Sequence, residues 1–415
     1  MKIFKFGGAS VKDVEGVKNV LRVLENEGFK NTLIVISAMG KMTNAFEKIT
    51  ASYYYKTEDL QYNIEHVRNF HLEITSNLFE AKSHAVFMEI EQLFGQLSGF
   101  LISNKSTNYN FIYDQIVGFG ELLSTKIVSA YLNEYSINSN WIDVRDYIKT
   151  DSNYRDAKVN WEQTSLKISK INTEQLYITQ GFLGSNSKNK TTSLGREGSD
   201  YTAAIFAYCL NAKSVTIWKD VAGVLNADPR FFKTTELLQQ ISYSEAIEMA
   251  FYGASVIHPK TLKPLENKNI PLYVRSFYSL EKNGTTVGKG HSLVPEIPCF
   301  ILKKQQILVS ISALDFSFMV ENNLSDIFKI LHTYKLKVNL IQNSALSFSV
   351  CIEDNYHNFQ QFLNEVKLKY NSNYIENVSL YTIRHATEAS VYKIEQKGKV
   401  LLKQATKGTV QLVMK

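Results

Sequence analysis

The chain has 415 residues, a net charge of +6 and an apolar fraction of 44%, enough for two or three domains with real cores. Basic and acidic residues are interspersed with no basic tail or block, which argues against a nucleic-acid partner, and no apolar run approaches ~20 residues, so no membrane span is expected. Three widely spaced cysteines (Cys209, Cys299, Cys351) without a CxxC pair, no HExxH-type histidine spacing and no secretory leader argue against a disulfide framework or a protein-built metal centre, and lead to a cytoplasmic location.

Lys2-Ile3-Phe4-Lys5-Phe6 reads as a short buried strand ending in Gly7-Gly8, followed by a helix over Val11 to about Glu27. Val14, Val17, Leu21 and Leu24 mark that helix's apolar face and Gly28 its end. Gly7 and Gly8 let backbone N–H groups approach a ligand. Ser10 is a candidate N-cap with Asp13 three residues on, and Lys5 places a cation beside the cradle. Together these suggest a polyphosphate site, although a purely structural turn has the same look. Thr32–Ser37 is a continuous apolar run of the kind buried on both faces of a parallel sheet, completing a βαβ unit.

Residues 43–105 read as a helical excursion, and Tyr109–Tyr135 as one longer helical segment whose aromatic residues are expected in the core. Strands are expected at Asn140–Val144, Gln175–Thr179, Ser214–Trp218 and Pro271–Val274, with helices at Gly198–Asn211 and Ser242–Tyr252 and a polar loop through Thr192. This alternation argues for an α/β fold around a central, mostly parallel sheet. Gly288, Gly290, Pro295 and Pro298 mark a domain junction. Beyond it comes strand (Ile307–Ala313), helix (322–334), strand (Lys337–Ile341), strand (Leu346–Ile352) and helix (356–369). A trimmed echo follows, with strands at Val378–Arg384, Val400–Gln404 and Thr409–Met414 and a helix at 387–395. The pattern predicts an α/β domain over 1–290, a first small βαββ unit over 300–375 and a shortened second one over 376–415, a duplicated ligand-sensing or dimerising module.

Two stretches are candidates for chemistry, the plain alternatives being a solvated loop with a good N-cap for the first and an ordinary turn with a Pro-terminated loop for the second. Thr191–Asp200 packs hydroxyls, Arg196 and Asp200 between a strand and a helix whose N–H groups point outward; Arg196 suits bidentate pairing with a carboxylate, and Asp200 suits orienting a cation or Lys5. Lys219-Asp220 through Arg230 follows a buried strand, at the end where α/β sheets bind ligands. Taken alone, Glu121 has the look of a solvated helix residue, Ser37 and Thr43 carry no signal, and His258-Pro259 reads as a turn before a helix. There is no GxxxxGK[ST] P-loop, and Gly118-Phe119-Gly120 lacks the third glycine of a kinase-type loop.

In order along residues 2–290, Lys5–Ser10, Gly120–Ser124, Gln180–Gly184, Thr191–Asp200, Trp218–Arg230 and Gly253–Pro259 resemble the motifs of the aspartate kinases of the amino-acid kinase superfamily, and the remainder resembles their regulatory ACT domains. The resemblance implies a three-layer sandwich followed by an α+β ACT-like region. It implies ATP-dependent phosphorylation of L-aspartate to 4-phospho-L-aspartate, the step that leads to lysine, threonine and methionine, with Mg²⁺ carried on the phosphates. It assigns Lys5, Gly7, Gly8, Ser10, Lys219, Asp220 and Arg230 to ATP and Lys5 and Asp200 to catalysis. Ser37, Thr43, Glu121, Phe182, Arg196 and Ser199 fall to aspartate, with Arg196 on its α-carboxylate and Glu121 on its ammonium. Glu197 stands where glycine is common, Leu225 replaces a frequent tyrosine, and Ser255 stands where a lysine usually approaches ATP, a cation that Lys219 or Lys260 would have to supply. Asn339 and Ala345 stand where lysine-sensing relatives carry carboxylates, which leaves lysine or threonine as possible effectors and a homodimer through the ACT-like region as a further role. Other amino-acid kinases (of glutamate, acetylglutamate, carbamate or a nucleotide monophosphate) and a catalytically silent amino-acid-binding protein are the alternatives.

Overall fold

The computed structural model describes residues 1–254, 257–315 and 317–415, and the chain forms two compact units. The first comprises Met1–Val224, Leu237–Ile247 and Val256–Pro295; the second comprises Leu225–Glu236, Glu248–Ser255 and Glu296–Lys415. No described helix is long and apolar enough to cross a membrane.

The first unit is built on an eight-stranded sheet. In chain order its strands are β1 (Lys2–Phe6), β2 (Thr32–Ile36), β3 (Asn140–Ile142), β4 (Tyr177–Gln180), β7 (Ser214–Lys219), β8 (Gln240–Ser242), β9 (Leu272–Ser276) and β10 (Thr285–Gly288). They lie in the order β3-β4-β2-β1-β7-β9-β10-β8, with β3 through β9 parallel and β10 antiparallel to β9. β5 (Leu183–Ser185) and β6 (Thr191–Ser193) form a separate antiparallel pair, so the expected polar loop is a hairpin. Its six residues are all buried, which explains why its polar side chains hide a strand signal.

Burial on both faces accounts for the apolar runs of the central strands. Phe4 and Phe6 point to one side, where Trp218 stacks on Phe6 and meets Phe4 edge-on. That side is covered by α1 (Val14–Glu27) and by the helices α2 (Met42–Tyr55), α3 (Leu60–Leu78), α4 (Ala85–Ser103), α5 (Tyr109–Val117) and α6 (Phe119–Glu134), which share its core. Short helices α7 (Val144–Tyr147) and α8 (Trp161–Ile168) lead to α9 (Gly198–Leu210) on the opposite face, against β1, β2 and β7. α10 (Tyr243–Tyr252) and α11 (Pro259–Asn267) complete the set, with α11 packed on α9 and capped by His258, whose Nδ1 accepts from the Lys260 N–H. The architecture is the expected three-layer α/β sandwich.

Two local expectations are corrected. The first helix starts at Val14, with the Asp13 carboxylate accepting from the Gly16 N–H; Gly8–Val11 is a 3₁₀ turn, and Ser10 Oγ donates to the Trp218 carbonyl instead of capping. Asp13 wins because its longer reach and charge favour a helix N-terminus. The segment 109–135 is two helices parted at Gly118, where a Cβ would lie 3.1 Å from Leu183.

The second unit is one six-stranded antiparallel sheet, β12-β13-β11-β14-β16-β15, formed by β11 (Cys299–Ala313), β12 (Lys337–Asn343), β13 (Phe348–Glu353), β14 (Tyr370–Arg384), β15 (Val400–Thr406) and β16 (Thr409–Met414). Helices α12 (Glu321–Thr333), α13 (Phe359–Lys367) and α14 (Glu388–Glu395) cover it. β11 and β14 are each 15 residues long and serve both small halves, paired from Cys299↔Arg384 to Ala313↔Tyr370 through an irregularity at Lys303–Leu308.

Candidate active site

Four adjacent parallel strands end at one place. β1 delivers Lys5, β2 runs into Ser37, β4 into Gly181-Phe182, and β7 ends at Lys219. The ends are knitted by Ser37 N–H to the Phe6 carbonyl (3.1 Å) and Gly181 N–H to the Ile36 carbonyl (2.9 Å). This is the carboxyl edge of the sheet, where α/β proteins bind ligands. Two glycines permit the approach. A Cβ on Gly8 would lie 2.7 Å from the Ala38 carbonyl oxygen, and one on Gly181 would lie 2.7 Å from Ser199 Cα. The first lets the β1 turn lie on the β2 turn; the second lets the N-terminus of α9 close on β4.

These ends line a cavity of about 460 Å³ together with Thr43 at the start of α2, Glu121 in the first turn of α6, and Arg196, Ser199 and Asp200 around the start of α9. Lys5, Ser37, Thr43, Glu121, Phe182, Arg196, Ser199, Asp200 and Lys219 are thus brought together from distant parts of the chain. Lys5 shares the Ile3 side of β1, facing α9, and is buried; its Nζ lies 2.6 Å from Asp200 Oδ1, while Lys219 Nζ lies 3.9 Å from Asp200 Oδ2. One buried carboxylate therefore holds two ammonium groups at the mouth of a helix N-terminus, itself favourable to anions.

Glu121 is 2% exposed, and its Oε2 has no hydrogen-bond partner. Burial pushes its carboxyl up to about 8, against the opposing pull of the Glu121 and Ala38 backbone N–H groups. A carboxyl group held dry beside a cavity, with one oxygen unpaired, carries a desolvation cost that a cation in the cavity could offset.

The other named residues are not in the cavity lining. Gly7 starts the 3₁₀ turn beside the Lys5 ammonium, Gly8 packs on the β2 turn, and Ser10 is buried against Trp218. Asp220 is exposed just beyond Lys219. Arg230 belongs to the second unit, where its guanidinium forks onto Asp228 at 2.6–3.0 Å. Lys260 pairs with Asp156 rather than lining the cavity, so Lys219 is the cation present at the site. Ser255 lies outside the described residues.

The cavity also contains Tyr113 and Arg155, which the sequence did not single out, together with Gly195, Glu197 and Gly198 of the Thr191–Asp200 stretch. Tyr113, expected in the core, is 7% exposed, and its hydroxyl donates to Glu47 Oε1 at 2.8 Å, which with burial pushes its own ionisation upward. Asp114, next in the chain, is buried and pushed up to about 6 by desolvation. It accepts from Ser193 N–H (2.9 Å), Ser193 Oγ (2.6 Å) and Arg155 N–H (3.0 Å), tying α5 to β6 and to the Arg155 turn. Arg155 lies in a polar stretch without periodicity, so nothing in the sequence flags it.

Residues 1–276 match the model of the amino acid kinase family. The lysine-sensitive aspartokinase 3 of Escherichia coli is 31% identical over 343 residues, covering 82% of this chain and 75% of that protein. The chloroplastic bifunctional aspartokinase/homoserine dehydrogenase 2 of Arabidopsis thaliana is 32% identical over 294 residues, 69% of this chain but only 32% of the longer protein. Among solved structures, Escherichia coli aspartokinase III in complex with aspartate and ADP superposes with a TM-score of 0.82 at 26% identity, covering 100% of this chain and 96% of that one. The chain belongs to the aspartokinases of the amino acid kinase family.

Proposed function

We propose that the chain is an aspartate kinase, transferring the γ-phosphoryl group of ATP to the β-carboxylate of L-aspartate to give 4-phospho-L-aspartate and ADP. The observation that carries the reading is the cavity in which Asp200 holds Lys5 and Lys219 while Glu121 stands buried with an unpaired oxygen. An aspartate carboxylate is already a nucleophile near neutral pH. Its oxygen forms the new bond to phosphorus as the β,γ-bridging P–O bond breaks, and no proton has to move. The protein's work is alignment and charge neutralisation. Lys5 meets the transferring phosphoryl group, with Asp200 fixing its direction. Lys219 takes the nucleotide phosphates, Arg196 the aspartate α-carboxylate and Glu121 its ammonium.

Among the described residues no three His, Cys, Asp or Glu side chains gather as a metal cage. Asp200 is taken by two lysines and Glu121 leans to its neutral form, so these residues do not fit a protein-held Mg²⁺; a hard cation accompanying the nucleotide phosphates fits better. The second unit serves as an ACT-like pair whose halves share β11 and β14 rather than dividing cleanly near residue 375, since Cys299–Lys303 pair with Leu380–Arg384, and it supports a homodimer: β12 is an edge strand, and Ile341 and Leu346 are exposed apolar residues in and beside it. An amino-acid effector bound there is part of the same reading. It is tested by ADP release with aspartate, glutamate, N-acetylglutamate and UMP in parallel. Turnover with aspartate alone is expected, and none with aspartate would overturn it.

A further inference from the structure

Arg155 has a left-handed backbone, φ +72°, which L side chains rarely adopt. Its surroundings nevertheless fix it. Its N–H is held by Asp114 at 3.0 Å, and its guanidinium lies 4.2 Å from the Tyr113 ring centre and 5.9 Å from that of Tyr109. Tyr113 is anchored in turn through Glu47. The turn lies directly on the Gly195-Arg196 turn, since a Cβ on Gly195 would stand 2.7 Å from Asp156 Oδ1 and 3.3 Å from the Arg155 carbonyl oxygen. Despite this support, the Arg155 guanidinium makes no hydrogen bond or close ion pair among the described residues, although its charge helps to keep the Asp114 carboxylate ionised, and Arg155 lines the cavity. A stacked guanidinium keeps its in-plane donors free for a planar anion.

We propose that Arg155 is a second guanidinium for the substrate's α-carboxylate, acting with Arg196 to hold it from two sides; this rests on the aspartate kinase reading. The charges in the cavity support the choice. Asp200 already pairs with Lys5 and Lys219, whereas neither guanidinium lining the cavity forms an ion pair within 4 Å among the described residues. Tyr113, which carries Arg155, and Glu121 come from the consecutive helices α5 and α6. The carboxylate and ammonium of one amino-acid head group would therefore be held by neighbouring elements, while the β-carboxylate stays unpaired and nucleophilic.

The test is steady-state kinetics of the full chain with L-aspartate and with L-aspartate α-amide, for wild type, R155G and R155M. Glycine relieves the backbone; methionine keeps a side chain on Tyr113 without donors. Both variants should raise the aspartate KM about 10–100-fold, the loss of a charge-assisted fork, with kcat and the ATP KM within about twofold. Toward the α-amide they should match wild type within about threefold. The melting temperature should hold in R155M and hold or rise in R155G. An unchanged aspartate KM, or an equal loss with the α-amide, would overturn the proposal while leaving the kinase reading intact. A wild-type chain inert toward aspartate would instead remove the kinase reading, and this proposal with it.

Discussion

Glu121→Gln should make the first unit more stable and the enzyme worse, and the stability gain should grow with pH. The folded-state carboxyl is raised from 4.5 to about 8. Folding therefore retains a proton that the unfolded chain releases, so wild-type stability from this group is full below about pH 4.5 and is lost as pH rises through about 8. At 1.36 kcal/mol per unit, the wild type carries a cost of about 1 kcal/mol at pH 5, about 3 at pH 7 and close to 5 at pH 9. Glutamine does not titrate, though its own buried, unpaired amide costs about 1–2 kcal/mol. The variant should thus be near neutral at pH 5 and about 3 kcal/mol more stable at pH 9. All three tryptophans (Trp141, Trp161, Trp218) lie in the first unit, so their fluorescence during urea unfolding at pH 5, 7 and 9 isolates the relevant transition. Losing the carboxylate should also raise the aspartate KM about 10–100-fold, the range for a hydrogen bond to a charged group. A stability difference that stays flat from pH 5 to 9, or a variant less stable at pH 9, would refute the picture of a dry carboxyl kept for a cation.

Lys5→Ala should lower kcat about 10²–10³-fold, the scale of removing one preorganised charge from a transition state, with circular dichroism unchanged. Lys219→Ala should raise the ATP KM about tenfold by loss of a charge-assisted contact, whereas Lys260→Ala, whose ammonium sits on Asp156, should leave it within about twofold. In the second unit the Lys303 ammonium donates to Asn339 Oδ1 at 2.8 Å, and burial lowers that lysine to about 8. A lysine effector would bring a second ammonium to a neutral carbonyl, so millimolar lysine should change activity less than about twofold, as read by ADP release with and without it.

The sheet was legible because its central strands are buried on both faces and read as apolar runs: Ile3–Phe6, Leu33–Ile36 and Val215–Trp218 have almost no exposed surface apart from Lys5 and Thr216. The cavity-lining residues at their ends were legible as an ordered set of motifs, not singly, because the cavity is assembled from segments far apart in sequence. What was illegible has physical causes. β11 was read only from Ile307, since Lys303-Lys304-Gln305-Gln306 interrupts its alternation; those residues sit at the irregularity that lets one strand serve two partners. The first half of β14 is polar and largely exposed, so its pairing with β11 leaves no hydrophobic trace. Tyr113 has the helical spacing of a core aromatic and is buried like one, yet its edge reaches the cavity. No pattern of residue types distinguishes the two.

Three of the fourteen non-glycine residues with positive φ among the described ones, Arg155, Phe182 and Glu197, line this cavity. Each left-handed L-residue costs roughly 1–2 kcal/mol, so this wall carries on the order of 3–6 kcal/mol of backbone strain beside the Glu121 desolvation. Such strain persists where surrounding contacts over-determine it. Phe182 is held through its N–H on Thr202 Oγ1 (3.0 Å) and its carbonyl on Leu194 N–H (2.8 Å), and Arg155 through Asp114. Local sequence rules favour glycine at all three positions, so here the chain departs from its local preferences at residues that line the cavity. Relief of strain at Arg155 and removal of the buried carboxyl at Glu121 act by separate means, one in the backbone and one in solvation. The stability change of R155G and the pH-dependent gain of E121Q should therefore add, while both weaken recognition of the same amino-acid head group.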